Sequence, residues 1–212
     1  MINIDRPIDW TNISLGEYIE LQDATLENGE DQEDIIMQQV QILYNKNPYS
    51  MSMPEFHKAV EGLKFMTKPL PKMKVKEQYM LNGNAYFLHK SLSDFKVGQY
   101  IDYERIMKEK KGIEAYAEFI ALFLTPDPEQ DYADGYDVET VVKDIRKYMS
   151  IADACSIAAF FLKLSKAYTV HFLRYSMSAA MAGMKNRKAR MELKKKTRKL
   201  IRMVLTGELH HS

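Results

Sequence analysis

The chain has 212 residues, of which 46% are hydrophobic and 28% are charged, a composition that excludes wholesale disorder and supports a core without disulfides or a structural metal. Its formal net charge is +1, and its one cysteine, Cys155, excludes an internal disulfide. No stretch approaches the roughly 20 apolar residues that span a bilayer, and the first residues lack the pattern of a secretion signal, so we expect a soluble, intracellular protein that does not enter a membrane.

Residues 1–66 are predicted to form an N-terminal helical unit. Its first residues contain Pro7 and lack a regular apolar period, so we expect an extended arm that Trp10 anchors. Two serine and glutamate pairs have the spacing of capping boxes, and each pair is expected to begin a helix. Between these helices, a run of acidic residues favours a third helix start. The pairs are Ser14 with Glu17 and Ser52 with Glu55, and the acidic residues are Glu30, Asp31, Glu33 and Asp34.

Residues 72–90 are predicted to form a β-hairpin after a linker that prolines interrupt, Thr67–Pro71. Asn82 and Gly83 tolerate the positive φ angles of a two-residue turn, and apolar residues alternate on both sides of them. An isolated hairpin is marginal in water, so its apolar face must pack on helices or pair with another chain. That face is expected to comprise Tyr79, Leu81, Tyr86 and Leu88.

Residues 91–184 are predicted to form a C-terminal helical core. Gly112 is expected to separate two short antiparallel helices, and Asp137 to cap another after a loop rich in proline and aspartate. Residues 151–184 have wide apolar stripes and are expected to be the central core helix, which Gly183 breaks. The expected apolar faces are, in chain order, Val97, Tyr100, Ile101, Tyr103 and Met107; Ile113, Ala117, Ile120, Ala121 and Leu124; Val138, Val141, Val142, Ile145 and Tyr148; and Ala158, Phe161, Leu162, Ser165, Tyr168, Phe172, Tyr175, Met177 and Met181.

Residues 185–212 are predicted to form a basic tail that is an amphipathic helix, because apolar residues keep helical spacing beneath the charges. Between residues 185 and 202, ten basic residues stand against Glu192, and they are the predicted partner-binding residues. The apolar residues are Leu193, Thr197, Leu200, Ile201 and Val204, and the basic residues are Lys185, Arg187, Lys188, Arg190, Lys194, Lys195, Lys196, Arg198, Lys199 and Arg202.

The charge is concentrated at opposite ends of the chain. Residues 185–202 carry +9, whereas residues 1–40 hold ten acidic residues against Arg6 and carry −9. This asymmetry fits head-to-tail self-association, docking of the tail on the chain's own acidic end, or binding of an outside polyanion such as nucleic acid. Aromatic residues, which single-strand binders interleave with basic ones, are missing between residues 185 and 202.

Together these elements predict a mainly α fold, a multi-helix bundle with one β-hairpin inserted between two helical units. The segment Phe95–Tyr103 echoes Ile13–Leu21, with glycine, tyrosine and isoleucine in the same register. Each segment opens a run of three predicted helices. A duplication and a chance similarity both remain open.

The candidate metal sites fail on spacing. If Asp127 began a calcium loop, glycine would be required where Tyr132 stands and glutamate where Val138 stands. His57 and Glu61 lie one helical turn apart, but no second pair completes a set of ligands. We therefore expect no metal.

Catalytic motifs are missing as well. Cys155 is surrounded by small apolar residues, which favours inert packing over a reactive thiolate. The sequence has no glycine-rich phosphate loop, no serine nucleophile elbow and no paired-cysteine zinc pattern. We expect no enzyme activity and no cofactor, although a site made of carboxylates leaves little trace in a sequence.

The order of elements in residues 1–66 resembles that of the tail assembly chaperones of tailed bacteriophages. The resemblance lies in the segments Ser14–Leu21, Ile35–Tyr44 and Met53–Phe56, with an acidic linker between the first two. It implies a non-enzymatic protein that binds a tape-measure or tail-tube partner in the host cytoplasm during virion assembly, or a related structural component of the virion. The alternative is a nucleic-acid-binding protein that acts through the basic tail.

Overall fold

A computed structural model shows a mainly α-helical chain with a small antiparallel sheet, which confirms the predicted fold class. The structure describes residues 8–27, 31–91, 96–110, 112–127, 129, 137–182, 184 and 186–206. The chain divides into two compact units, Met1–Ala158 and Ala159–Ser212. Of the predicted segments, residues 1–66 and 72–90 lie in the first unit and 185–212 in the second, whereas 91–184 contributes to both.

The first three helices begin at polar caps, as the sequence predicts. The Ser14 backbone N–H donates to Glu17 Oε2 at 2.7 Å, and the Glu17 N–H donates back to Ser14 Oγ at 3.2 Å. Ser52 and Glu55 form the second capping box. Asp31 caps the helix between them by accepting two backbone N–H groups. The helices are α1 (Leu15–Glu27), α2 (Gln32–Tyr44) and α3 (Met53–Gly62).

Trp10 is the predicted anchor, and it is buried, with 8% of its surface exposed. Its ring packs edge-on against Tyr18 and Phe65, at centroid distances of 5.7 and 4.8 Å. Its Nε1–H donates to the Lys68 carbonyl at 2.8 Å. The residues before α1 are thereby tied to the proline-containing linker.

Gly62 is required where α3 ends against α2. A Cβ at this position would overlap the hydroxyl of Tyr44 and lie 3.3 Å from its Cζ. Tyr44 is buried, and its hydroxyl donates to the Ala59 carbonyl at 3.3 Å, so the ring has little freedom to move aside.

Gly62→Ala is therefore expected to lower the free energy of unfolding by about 1–3 kcal/mol through overpacking. The same substitution in a Tyr44→Phe background removes the overlapping oxygen, so it should cost almost nothing or even stabilise α3, because alanine favours helix. Urea unfolding of the four variants measures the difference. Equal losses in both backgrounds would contradict this account.

The hairpin forms as predicted, and a short third strand extends it. Asn82 and Gly83 turn with φ angles of 53° and 78°. The predicted face, Tyr79, Leu81, Tyr86 and Leu88, is buried. The strands are β1 (Gln78–Leu81), β2 (Asn84–Leu88) and β3 (Leu124–Thr125), and β3 pairs with β2. The prediction of Leu124 in a helix is wrong, since its backbone pairs with Leu88 instead.

Three further helices follow the hairpin in the chain. Gly112, with a φ of 61°, interrupts the chain between the first two as predicted, and Asp137 caps the third by accepting the Thr140 N–H at 3.1 Å. The third helix packs against α1, β1 and the helix before it. The helices are α4 (Val97–Glu109), α5 (Tyr116–Ala121) and α6 (Val138–Tyr148), with a 3₁₀ turn, Gly112–Ala115, before α5.

The predicted apolar face of α4 is wrong at its first turn. Val97, Tyr100 and Ile101 are 77%, 53% and 61% exposed. The helix packs on α5 further along, where the ring centroids of Tyr103 and Phe119 are 5.9 Å apart and Ile106 is buried. Tyr148 on α6, also predicted to face the core, is 42% exposed.

The predicted central core helix is α7 (Ile151–Ala182), and its start is tied to the start of α1. The Leu15 N–H donates to the Met149 carbonyl and the Ile151 N–H to the Ile13 carbonyl, both at 2.9 Å. Buried side chains are concentrated before residue 162. Further along, Leu162 and Tyr175 are 50% and 69% exposed, whereas Val170 is buried, so burial is sparser among the described residues in the later part of α7. The side chains of Tyr168 and Phe172 and the predicted break at Gly183 lie outside the described residues.

Candidate partner-binding surface

The predicted amphipathic tail is helix α8 (Arg187–Thr206). Nine of the ten predicted partner-binding residues lie on α8 and all nine are exposed, whereas Lys185 lies outside the described residues. Asn186 caps the helix, because its Oδ1 accepts the N–H groups of Lys188 at 2.8 Å and Ala189 at 3.3 Å. We had not predicted this cap, although asparagine is a favoured N-cap residue.

The two faces of α8 differ in burial and charge. Thr197 is 6% exposed, and Leu193 and Val204 on the same side are half-buried. At about 100° per residue, all nine cations except Lys196 fall within roughly half of the helix circumference, centred about 110° around the helix from Thr197. With 20 residues, α8 is about 30 Å long. It therefore displays a long positive surface.

Met191 and Leu205 interrupt this positive surface with apolar groups. They are 65% and 59% exposed, and together with Arg198 they are spaced seven residues apart along one side of α8. We call the exposed cations of α8, with Met191 and Leu205, the basic face. Met191 and Leu205 were not predicted, because they lie outside the apolar stripe of the helix. Leu200, which was placed in that stripe, is 40% exposed.

The charge of the basic face is not balanced within its own unit. Glu192 is the one carboxylate among the described residues of the second unit, and no ion pair joins it to a cation of α8 there. Repulsion between such close cations is relieved by counterions or by an anionic partner. The surface is thus suited to an acidic ligand.

A second charged surface lies on the second half of α1 and the start of α2, whose facing ends are within about 18 Å because five residue steps separate them. Its carboxylates are exposed, and none forms an ion pair within the described part of the first unit. Leu26, one turn after Asp23, is 79% exposed among them. We call this the acidic surface, and it comprises Glu20, Asp23, Leu26, Asp31, Glu33 and Asp34.

A buried polar cluster joins α6 to the hairpin. Asp144 is 5% exposed, and its carboxylate accepts from the Tyr86 hydroxyl at 2.5 Å and from Asn82 Nδ2 at 3.3 Å. Burial, followed by the hydrogen bond to Asp144, raises the pKa of Tyr86 to about 12. Nothing in the sequence distinguished Asp144 from a surface residue. Because every partner in this cluster is a hairpin residue, we assign it a structural role.

A second polar cluster joins α5 to α6. Glu118 Oε1 accepts from Lys110 Nζ at 2.6 Å and from Arg146 Nη2 at 3.1 Å. Glu118 Oε2 and Arg146 Nε are buried without a hydrogen-bond partner. Glu118 Oε1 therefore ties α5 to Arg146 on α6 and to Lys110 in the connection after α4.

The residues considered as candidates for catalysis or metal binding do not form a shared site in the described parts of the chain. Cys155 is half-buried, and burial raises its thiol pKa, which disfavours the reactive thiolate. His57 is exposed, and no group of three or more metal-binding side chains occurs among the residues that the structure describes. Of the loop that would begin at Asp127, residues 130–136 lie outside that part of the chain.

None of the described helices is both long and apolar enough to cross a membrane. The chain matches no protein-family model, and the comparisons with curated proteins and solved structures found no match either.

Proposed function

We propose that this protein acts by binding another protein, without catalysing a reaction, and that the basic face of α8 is its binding surface. The observation that carries the proposal is the combination, on one side of one helix, of exposed unpaired cations with the exposed apolar side chains Met191 and Leu205. Helices of this kind dock by laying their apolar residues into a groove whose rim carries the opposite charge.

The partner class that we propose is a tail or virion protein of a tailed bacteriophage, for which this chain is an assembly chaperone or a structural component. Support comes from the layout of residues 1–66, in which the three segments that carry the resemblance belong to the successive helices α1, α2 and α3. Such a protein works in the host cytoplasm or within the virion.

Nucleic acid is the second candidate ligand, because the cations of α8 extend over about 23 Å and resemble a surface that contacts successive phosphates. Two features favour protein instead. Phosphate contacts leave no use for the exposed Met191 and Leu205, and the basic stretch of the tail has no aromatic ring on which a base could stack.

The test compares an apolar variant with a charge variant of the full chain. Met191→Ser with Leu205→Ser is expected to lower capture of a tail or virion protein from infected cells about tenfold, as loss of interface anchors does. Lys194→Gln with Arg198→Gln should lower it less and in a salt-dependent way. Met80→Ser, which removes an apolar side chain that is 63% exposed on the hairpin, is the matched control.

Two measurements separate the candidates. The captured proteins are identified by mass spectrometry, and binding of a 20-base-pair duplex is measured by fluorescence anisotropy. The protein proposal falls if nuclease abolishes capture, or if the apolar variant captures as well as wild type. Duplex binding at physiological salt that only the charge variant weakens would establish the nucleic-acid candidate instead.

A further inference from the structure

We propose that a second copy of this chain occupies the basic face of α8 with its acidic surface, so that the protein self-associates head to tail. This inference rests on the proposed function, because it names a partner for the same face. It starts from the observation that neither surface has its charge balanced within its own unit in the described residues.

The two surfaces are complementary in charge. The basic face carries nine exposed cations, and the acidic surface carries five exposed carboxylates. Residues 185–202 carry a formal charge of +9 and residues 1–40 carry −9, and the whole chain has a net charge of +1. Attraction between the opposite ends of two copies therefore meets little opposition from their overall charge.

The two surfaces are also alike in composition, since each mixes charged groups with exposed apolar ones. Leu26 is 79% exposed on the acidic surface, and Met191 and Leu205 are 65% and 59% exposed on the basic face. Burying these side chains against each other would add a salt-insensitive contribution to the charge attraction.

The association joins two different surfaces, so each copy keeps one surface free for a further copy. An interface of this heterologous kind closes into a ring or propagates into a filament. It also relies on exposed charges, whose attraction is screened beyond about 10 Å at 0.1 M salt. The expected behaviour is therefore concentration-dependent and salt-sensitive assembly.

The test is sedimentation velocity of the full chain at protein concentrations up to about 100 μM, in about 50 mM and about 500 mM NaCl. Wild type should form larger species as its concentration rises at low salt, and fewer at high salt. The tail-reversed variant, Lys194→Glu with Arg198→Glu, and the head-reversed variant, Glu20→Lys with Asp23→Lys, should each remain monomeric. Mixing the two variants should restore a complex, because each retains the surface that the other one has lost.

Lys72→Glu with Lys74→Glu reverses two exposed lysines elsewhere in the chain and should assemble as wild type does. Circular dichroism on heating confirms that each variant is folded. Wild type that stays monomeric at low salt, including through docking of the tail on its own chain, overturns the inference. So does assembly that survives both charge reversals or that nuclease abolishes. If a monomeric wild type still captures a tail or virion protein through Met191 and Leu205, the proposed function stands and only the self-association is lost.

Discussion

Replacing Leu15 by alanine is expected to lower the free energy of unfolding by about 2–5 kcal/mol, because the substitution removes a fully buried side chain and leaves a cavity. Leu15 is 0% exposed at the start of α1, a helix that packs against α2 and α6. Its backbone N–H also bonds the Met149 carbonyl, which limits how far the chain can shift to fill the space. Urea unfolding followed by circular dichroism measures the loss.

The internal echo of the sequence supplies the matched control. Val97 stands on α4 where Leu15 stands on α1, but Val97 is 77% exposed. Val97→Ala should change stability by no more than about 0.5 kcal/mol, as surface substitutions usually do. Comparable losses at the two positions would mean that Val97 is covered by another molecule or that Leu15 is less well packed than its burial indicates.

This pair of positions shows what a sequence pattern can and cannot predict. Both segments have glycine, tyrosine and isoleucine in the same register, and both begin a 13-residue helix. The cap of α1 and the helical periodicity of both segments depend on neighbouring residues, so they were predicted correctly. Burial depends on which elements lie opposite, and that information comes from distant parts of the chain. The apolar first turn of α4 was therefore assigned to the core wrongly.

The hairpin illustrates the same division. The turn at Asn82 and Gly83 and the alternating face could be predicted because they are encoded within about ten residues. The third strand could not, since Leu124 and Thr125 are too few to show a period and pair with β2 far away in sequence. A helical assignment extended through Leu124 because the preceding apolar residues have helical spacing.

The candidate surface was likewise predicted in part. The cations of α8 were predicted from charge alone, since nine basic residues on one helix cannot be buried without partners. Predicting that Met191 and Leu205 are exposed required knowing how α8 is oriented, which the burial of Thr197 shows. Met191 and Leu205 have the same helical angles as the cations, so both residues fall on the side of α8 that carries the cations. The prediction followed the apolar stripe, which lies on a different side of the helix.

Asp144 was missed for a different physical reason. An aspartate within a helix is normally exposed, and only a buried donor on another element makes its burial tolerable. Tyr86 and Asn82 are these donors, and both belong to the hairpin. Their approach to α6 is a property of the tertiary structure, which no local pattern predicts.

Asp144→Ala is accordingly expected to cost about 2–3 kcal/mol, because the buried Tyr86 hydroxyl loses a charged acceptor and keeps its desolvation penalty. Tyr86→Phe alone should also destabilise the fold, since it leaves the carboxylate buried with only Asn82 as donor. The double variant should lose less than the two single losses combined. Strict additivity in urea unfolding would show that Asp144 and Tyr86 do not stabilise the fold through each other.

The same pair predicts how stability depends on alkaline pH. The pKa of Tyr86 is raised from 10.0 to about 12 in the folded chain, by burial first and by the hydrogen bond to Asp144 next. Because the folded pKa exceeds the unfolded one, the stabilisation is fully present below pH 10 and is lost as the pH rises towards 12. Tyr86→Phe removes this titration, so its free energy of unfolding should fall less steeply than that of wild type between those pH values. Parallel profiles for the two proteins would place the tyrosine hydroxyl outside the buried environment that ties the hairpin to α6.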